Sequence, residues 1–289
     1  MKNLLQNKNP LGLFIILLVA FTSISFIGWV SFNKYYWFIN TYMWCPSLAA
    51  LSTLLIQKKD IRKAIKWDWG KHKYQLQSLI VPFAYTFLTY LFGYALGFGS
   101  FGNPDYLNNR LERMGLEPNY SWLIILLFGT IWGIFGVLYN MASSLGEEIG
   151  WRGFLLSKLL SKKNFILSTC IVGTLWAFWH FPLIYVNTMS FENIPWLAYF
   201  SFWIGLLGIS FIFTYYFIKS KSIWTSVILH SSHNYFVGAY FGNLTIDNDL
   251  TDTYLGESGV LFAVISALFG LTFLILTRKM IAQVRIKES

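Results

Sequence analysis

Ser144-Leu145-Gly146-Glu147-Glu148-Ile149-Gly150-Trp151-Arg152 follows directly on an apolar run that starts near Ser121. Two adjacent carboxylates and a guanidinium beside so long a hydrophobic run are costly. Ionisable groups in that setting are functional-site candidates by default. Three histidines, His180, His230 and His233, stand in equally apolar surroundings further on. The rest of the chain reads as the scaffold that brings these groups together.

Composition supports that reading. Of 289 residues, 55% are hydrophobic, 20% aromatic and only 12% charged, where a soluble domain carries about 25% charged residues. Several apolar runs are long enough to cross a bilayer and do not alternate, which excludes a β-barrel and predicts helices. The fold class expected is an all-α membrane protein, a bundle of about eight transmembrane helices in a single integral-membrane domain covering 1–289. The spans fall near 11–32, 37–56, 78–98, 121–142, 164–186, 196–218, 223–241 and 259–276. The first, preceded by Lys2 and Lys8, exceeds a signal-peptide core and lacks a small-residue cleavage site, so it reads as a retained helix.

Charge sets the orientation. The net charge of +9 is explained by short basic loops, not by a nucleic-acid face, which needs base-reading or stacking groups beside the cations. With both termini cytoplasmic, 19 of the 22 Lys and Arg fall on the cytoplasmic side, and Lys34, Arg110 and Arg113 fall outside. Residues 57–73 hold seven of the cations, in a basic loop or along an anionic leaflet. Cys45 and Cys170 both lie in apolar spans and give neither a disulfide framework nor a zinc cluster. Gly93 and Gly97 have a spacing that permits close helix approach.

Glu147 and Glu148 are the only acidic residues that border or enter a span. On a helix Glu148 and Arg152 are i, i+4 and can pair on one face. Glu147 points about 100° away, toward a cavity, where an unpaired carboxylate suits a general base. His230 and Asn234 share a face one turn apart, and two donors side by side suit a developing oxyanion. His180 comes from another helix. These are the parts of a hydrolytic site that activates water. The same Glu147, His180 and His230 form a His₂Glu set such as a catalytic zinc ion takes, although Asn234 is a poor zinc ligand. Metal-free water activation and a divalent metal therefore both stay open. A lone His233 reads as a core residue bonded to a carbonyl, and a proton or cation path is a third use for such groups.

Glu-Glu-Ile-Gly-Trp-Arg (Glu147 to Arg152), Trp-His-Phe-Pro (Trp179 to Pro182) and His-Ser-Ser-His-Asn (His230 to Asn234) resemble the three motifs of the CPBP family. That family comprises the CAAX prenyl endopeptidases and the bacterial Abi, bacteriocin-processing intramembrane proteases. The resemblance covers roughly 121–240. It implies that Glu147 activates water with His180, that His230 and Asn234 stabilise the oxyanion, and that Glu148 and Arg152 support them. Members are labelled metalloproteases, and a glutamate mechanism is also argued for them. The resemblance implies peptide or membrane-protein substrates, some lipidated, in contact with membrane lipids. It also implies a role in peptide maturation or bacteriocin immunity in a bacterial cell membrane. A non-proteolytic immunity or binding protein of the same fold is the alternative. The family's Phe four residues before the second-motif His is Trp176 here.

One geometric tension remains. Placed near the cytoplasmic end of span 4, Glu147 reaches His180 only if span 4 is longer, tilted or ends deeper, or if span 5 begins well outside the bilayer. The expectation is a span-5 extension starting near Lys162 and a cavity opening toward the cytoplasm.

Overall fold

A computed structural model describes residues 9–32, 35–113, 115, 117, 122–187 and 195–288. Lys2, Lys8 and Lys34 lie outside the described residues. Helix α1 (Pro10–Phe32) starts with proline at its first position, where no N–H is needed, and Asn9 Oδ1 accepts from the Leu11 amide. Its outer face leaves Ile16, Val19, Ile24, Ile27 and Val30 exposed, as a lipid-facing helix requires. Helices α2 (Tyr35–Ile56), α3 (Ile61–Ala64), α4 (His72–Ala95), α5 (Pro104–Arg113) and α6 (Trp122–Glu148) follow. Helix α6 passes without a break into a π-helical segment, Ile149–Leu156, and then α7 (Ser157–Leu160). Helices α8 (Phe165–Asn187), α9 (Pro195–Ser220) and α10 (Ile223–Asn234) come next. Helix α10 also runs on as a π-helix, Tyr235–Gly242, before α11 (Thr251–Tyr254) and α12 (Val260–Glu288). Among the described residues, six helices are long and apolar enough to cross a membrane. Helix α6 and the α10 stretch occupy the other two expected positions. The architecture is an all-α membrane bundle, with β-structure only where Ser100–Phe101 pairs antiparallel with Thr245–Ile246.

Three expectations change. Helix α4 begins at His72, not near Ser78, and buries Tyr74, Gln75 and Ser78. Helix α8 begins at Phe165, with Lys162 and Lys163 in the turn before it, so no helical extension starts near Lys162. Instead span 4 lengthens: Trp151, Phe154, Leu155 and Leu156 are buried parts of one helix running to Leu160. Gly97 is also not a packing glycine. It takes a left-handed conformation (φ +77°) just past α4, and the Phe98 and Gly97 amides bond back to the Gly93 and Tyr94 carbonyls, which closes the helix end.

The close helix approach lies inside the motif. A Cβ on Gly146 would meet the Met43 carbonyl oxygen at 2.8 Å, and one on Gly150 would meet Pro46 backbone atoms from 2.5 Å. Helix α2 therefore lies directly on the Gly146–Gly150 face, and the Ser47 hydroxyl donates to the Leu145 carbonyl. Tyr42 Oη ties α2 to α8 by donating to the Trp179 carbonyl at 2.6 Å.

The two ends of the bundle differ. At one end the 57–71 segment folds under α10, where the Ile223 amide donates to the Lys66 carbonyl and Ser222 caps α10. Burial, then the charge of Lys221, holds the Lys66 ammonium below the usual lysine range. At the other end the 96–103 and 243–259 segments interlock: the Gly102 amide donates to the Leu244 carbonyl and Asn248 Nδ2 to the Gly97 carbonyl.

Substituting Gly150→Ala is expected to lower the thermal unfolding midpoint in detergent, because a methyl there overlaps backbone and overpacking costs about 1–3 kcal/mol. Gly12→Ala, whose added Cβ would meet nothing nearer than 4.0 Å, is expected to leave the midpoint unchanged.

Candidate active site

Helix length resolves the depth problem. Glu147 precedes the end of α7 by 13 residues, and His180 follows the start of α8 by 15. Both lie roughly 20 Å from the shared turn at 1.5 Å per residue. The two side chains then meet across the antiparallel pair, with Glu147 Oε2 3.9 Å from His180 Nε2. On α10, His230 Nε2 stands 3.8 Å from Glu147 Oε1. The carboxylate thus lies between two imidazoles from different helices. A separation near 3.9 Å is too long for a direct hydrogen bond, but a single water can bridge it.

Beneath this trio is a second layer. Glu148 Oε1 accepts from Arg152 Nη1 at 2.7 Å and from His230 Nδ1 at 2.9 Å. The Arg152 guanidinium carbon sits 4.2 Å from the Trp176 ring centre and 3.9 Å from that of Phe213, a cation held between two π faces. Glu148 is fully buried and Arg152 is 1% exposed, so each serves as the other's counter-charge. Glu147, Trp176, His180, His230 and Asn234 all line one cavity of about 550 Å³. All six residues singled out in the sequence are brought together.

Residues 130–236, which hold all of these groups, match the family described as "Type II CAAX prenyl endopeptidase Rce1-like". The segment carrying the site belongs to the CAAX endopeptidase family. A "CAAX prenyl protease 2" from Methanococcus maripaludis is 32% identical over 127 residues, covering 42% of this chain and 44% of that protein. The chain therefore spans under half the length of the curated relative it matches. With the family and the apolar helices together, it is a multi-pass integral membrane protein.

Within this CAAX endopeptidase segment the hydrogen bonds fix ring tautomers. The His180 Nδ1 partner, at 3.0 Å, is the Trp176 carbonyl, which can only accept, so Nδ1 carries a proton. The His230 Nδ1 partner is the ion-paired Glu148 carboxylate, so that Nδ1 also carries one. In its neutral form each ring then presents an Nε2 lone pair to the cavity. Two such nitrogens and a carboxylate are donor types that zinc accepts. Glu147 Oε2, however, is already engaged by Trp176 Nε1 at 2.7 Å. Among the described residues no three His, Cys, Asp or Glu side chains are arranged to hold a metal ion. The residues as placed do not form that site, and no step is derived through a metal.

The sequence reading missed two features. Trp176 stands out only as a departure from the family's Phe. Its indole N–H holds Glu147, its carbonyl holds His180, its face covers Arg152, and its ring lies 5.3 Å from His230. His233 is not bonded to a carbonyl as expected. It bridges Tyr85 Oη at 2.8 Å and Glu257 Oε1 at 2.9 Å, and it lines the same cavity. Glu257 lies over a hundred residues from the Glu-Glu pair in a loop, so no local signal pointed to it.

Replacing Arg152 by Met strands the Glu148 charge, and breaking a buried pair in this way costs about 3–5 kcal/mol. The thermal midpoint in detergent is expected to fall sharply, and the double variant Arg152→Met with Glu148→Gln is expected to recover much of the loss.

Proposed function

We propose that the chain is an intramembrane endopeptidase in which Glu147 and His180 activate water against a peptide carbonyl. The observation that carries this is the Glu147 carboxylate standing 3.8 and 3.9 Å from two imidazole Nε2 atoms on a polar-lined cavity inside a membrane bundle. A water between Glu147 and His180 gives one proton to the carboxylate as its oxygen attacks the carbonyl carbon. His180 Nε2 accepts the other water hydrogen in a hydrogen bond and orients the attack. The Asn234 amide donates to the developing oxyanion, as does His230 Nε2–H when that ring carries both protons. Collapse of the tetrahedral intermediate returns the Glu147 proton to the leaving nitrogen, and the C–N bond breaks. The products are a carboxylic acid and an amine. Trp176 holds Glu147 Oε2 throughout, so the carboxylate does not rotate away from the water.

The substrate is a peptide or a membrane-protein segment. The M. maripaludis relative's name adds prenylated protein tails as one class to test. The aromatic and aliphatic cavity wall, with Ile39, Met43, Leu183, Ile184 and Phe202, suits apolar side chains or a lipid group next to the scissile bond.

The deciding experiment is cleavage of a fluorogenic peptide panel, some members lipidated, by purified protein. Glu147→Gln is expected to cut activity by about 10²–10⁴-fold, the usual contribution of a general base, while the thermal midpoint stays in place. Full activity in that variant would refute the role. Chelator treatment is expected to leave the wild type active. Loss on chelation with recovery on adding zinc would replace this mechanism with a metal-assisted one.

A further inference from the structure

The cavity does not open where the sequence reading placed it. It is lined by Ile39 and Met43 near the start of α2, Tyr90 near the end of α4, Leu183 and Ile184 near the end of α8, and Phe202 in the first part of α9. It is closed above by Val237, Gly238 and Gly242 of the second π-helix and by Gly256, Glu257 and Ser258 of the loop before α12. All of these lie toward the end where the 96–103 and 243–259 segments interlock. Gly238 is exposed and Glu257 is 39% exposed, so the cavity reaches the surface there. No residue of 57–71, 161–164 or 219–222 lines it. Toward that opposite end the floor is solid: Ile65, Leu156, Ile223 and Val227 are at most 2% exposed and pack as one core.

The charges divide between the same two ends. Fourteen Lys and Arg lie at the closed end: seven in 58–73, Lys158, Lys162 and Lys163, Lys219 and Lys221, and Arg278 and Lys279. That end is shown to be one surface by Lys163 and Asn164 lining a shallow recess with Ile218 and Arg278. At the open end the described cations are Arg110 and Arg113, beside Asp105, Glu112, Asp247, Asp249, Asp252 and Glu257. Short basic loops stay on the cytoplasmic side of a membrane.

We infer that the cavity opens to the extracytoplasmic side and takes peptide segments presented from there, not cytosolic tails. The accessibility is independent of catalysis; the substrate class rests on the proposed peptidase. The floor between the site and the basic end leaves a cytosolic chain no path to Glu147. A secreted peptide, or the outward-facing part of a membrane protein, reaches it through the gap beside Gly238 and Ser258.

The test uses the full chain in right-side-out and inverted membrane vesicles, with a membrane-impermeant maleimide. The wild type, with Cys45 and Cys170, gives the background. Ser258→Cys and Asp249→Cys are expected to label at least tenfold faster in right-side-out vesicles. Ser161→Cys and Lys163→Cys, exposed at the basic end, are expected to show the reverse. Labelling of Ser258→Cys and Asp249→Cys only in inverted vesicles overturns the inference. In a parallel arm, an impermeant fluorogenic peptide already cleaved by the purified protein is added outside. Its cleavage is expected in right-side-out vesicles, and cleavage only in inverted ones also overturns it. Should the purified protein cleave no peptide, the labelling still decides the orientation, so failure of the peptidase reading is distinguishable.

Discussion

The Glu148–Arg152 ion pair is the constraint on which the site depends. An isolated charge in so apolar an interior costs several kcal/mol even after relaxation, so neither residue is tolerable alone. Paired at 2.7 Å, with the guanidinium covered by Trp176 and Phe213, they form a fixed anionic acceptor deep in the bundle. That acceptor holds His230 Nδ1 and so sets which ring nitrogen faces the cavity. The adjacent Glu147 is left without a cation of its own. One helix turn therefore supplies both a neutralised carboxylate that positions and a second carboxylate offered to solvent and substrate.

Backbone geometry serves the same end. Gly146 and Gly150 flank the carboxylates, and their missing Cβ atoms let α2 lie on the motif at backbone contact distance. Helix α2 thereby seals the side of α6 away from the cavity. Immediately after Glu148, and again immediately after Asn234, the helix widens from α to π geometry. π-Helical turns are rare and concentrate at functional sites. Here each begins at the residue after the chemistry, so the side chains ahead of it keep α spacing while those beyond shift in phase. Arg152 still reaches Glu148, and the freed Arg152 carbonyl accepts from the Ser157 hydroxyl at 3.1 Å.

Much of this was legible in the sequence, because hydrophobic length and rare intramembrane charge are strong signals. The helices fall close to the expected spans, and Glu147, Glu148, Arg152, His180, His230 and Asn234 meet. What was illegible shares one cause: it depends on where a helix stops inside an apolar stretch. Trp151–Leu156 reads as an amphipathic linker because Arg152, Lys158 and Lys162 punctuate it. The structure buries Arg152 by pairing it, and the helix runs on. Trp176 read as a large aromatic, since composition does not say whether an indole N–H points at a carboxylate. Glu257 and Tyr85 were invisible because their link to His233 is made only by tertiary packing.

That misplaced helix end carries a larger consequence. If α6 stopped at Ala142, Glu147 would sit at the basic end of the bundle, and any cavity around it would have to open there. Running the helix to Leu160 moves Glu147 about 20 Å inward and fills the space below it with Leu156, Ile223 and Val227. The space that remains lies above, between α2, α8 and the second π-helix, toward the acidic loops. The direction from which this site is reached thus follows from a few added helical turns. Those turns hold because Arg152 has a partner and needs no water.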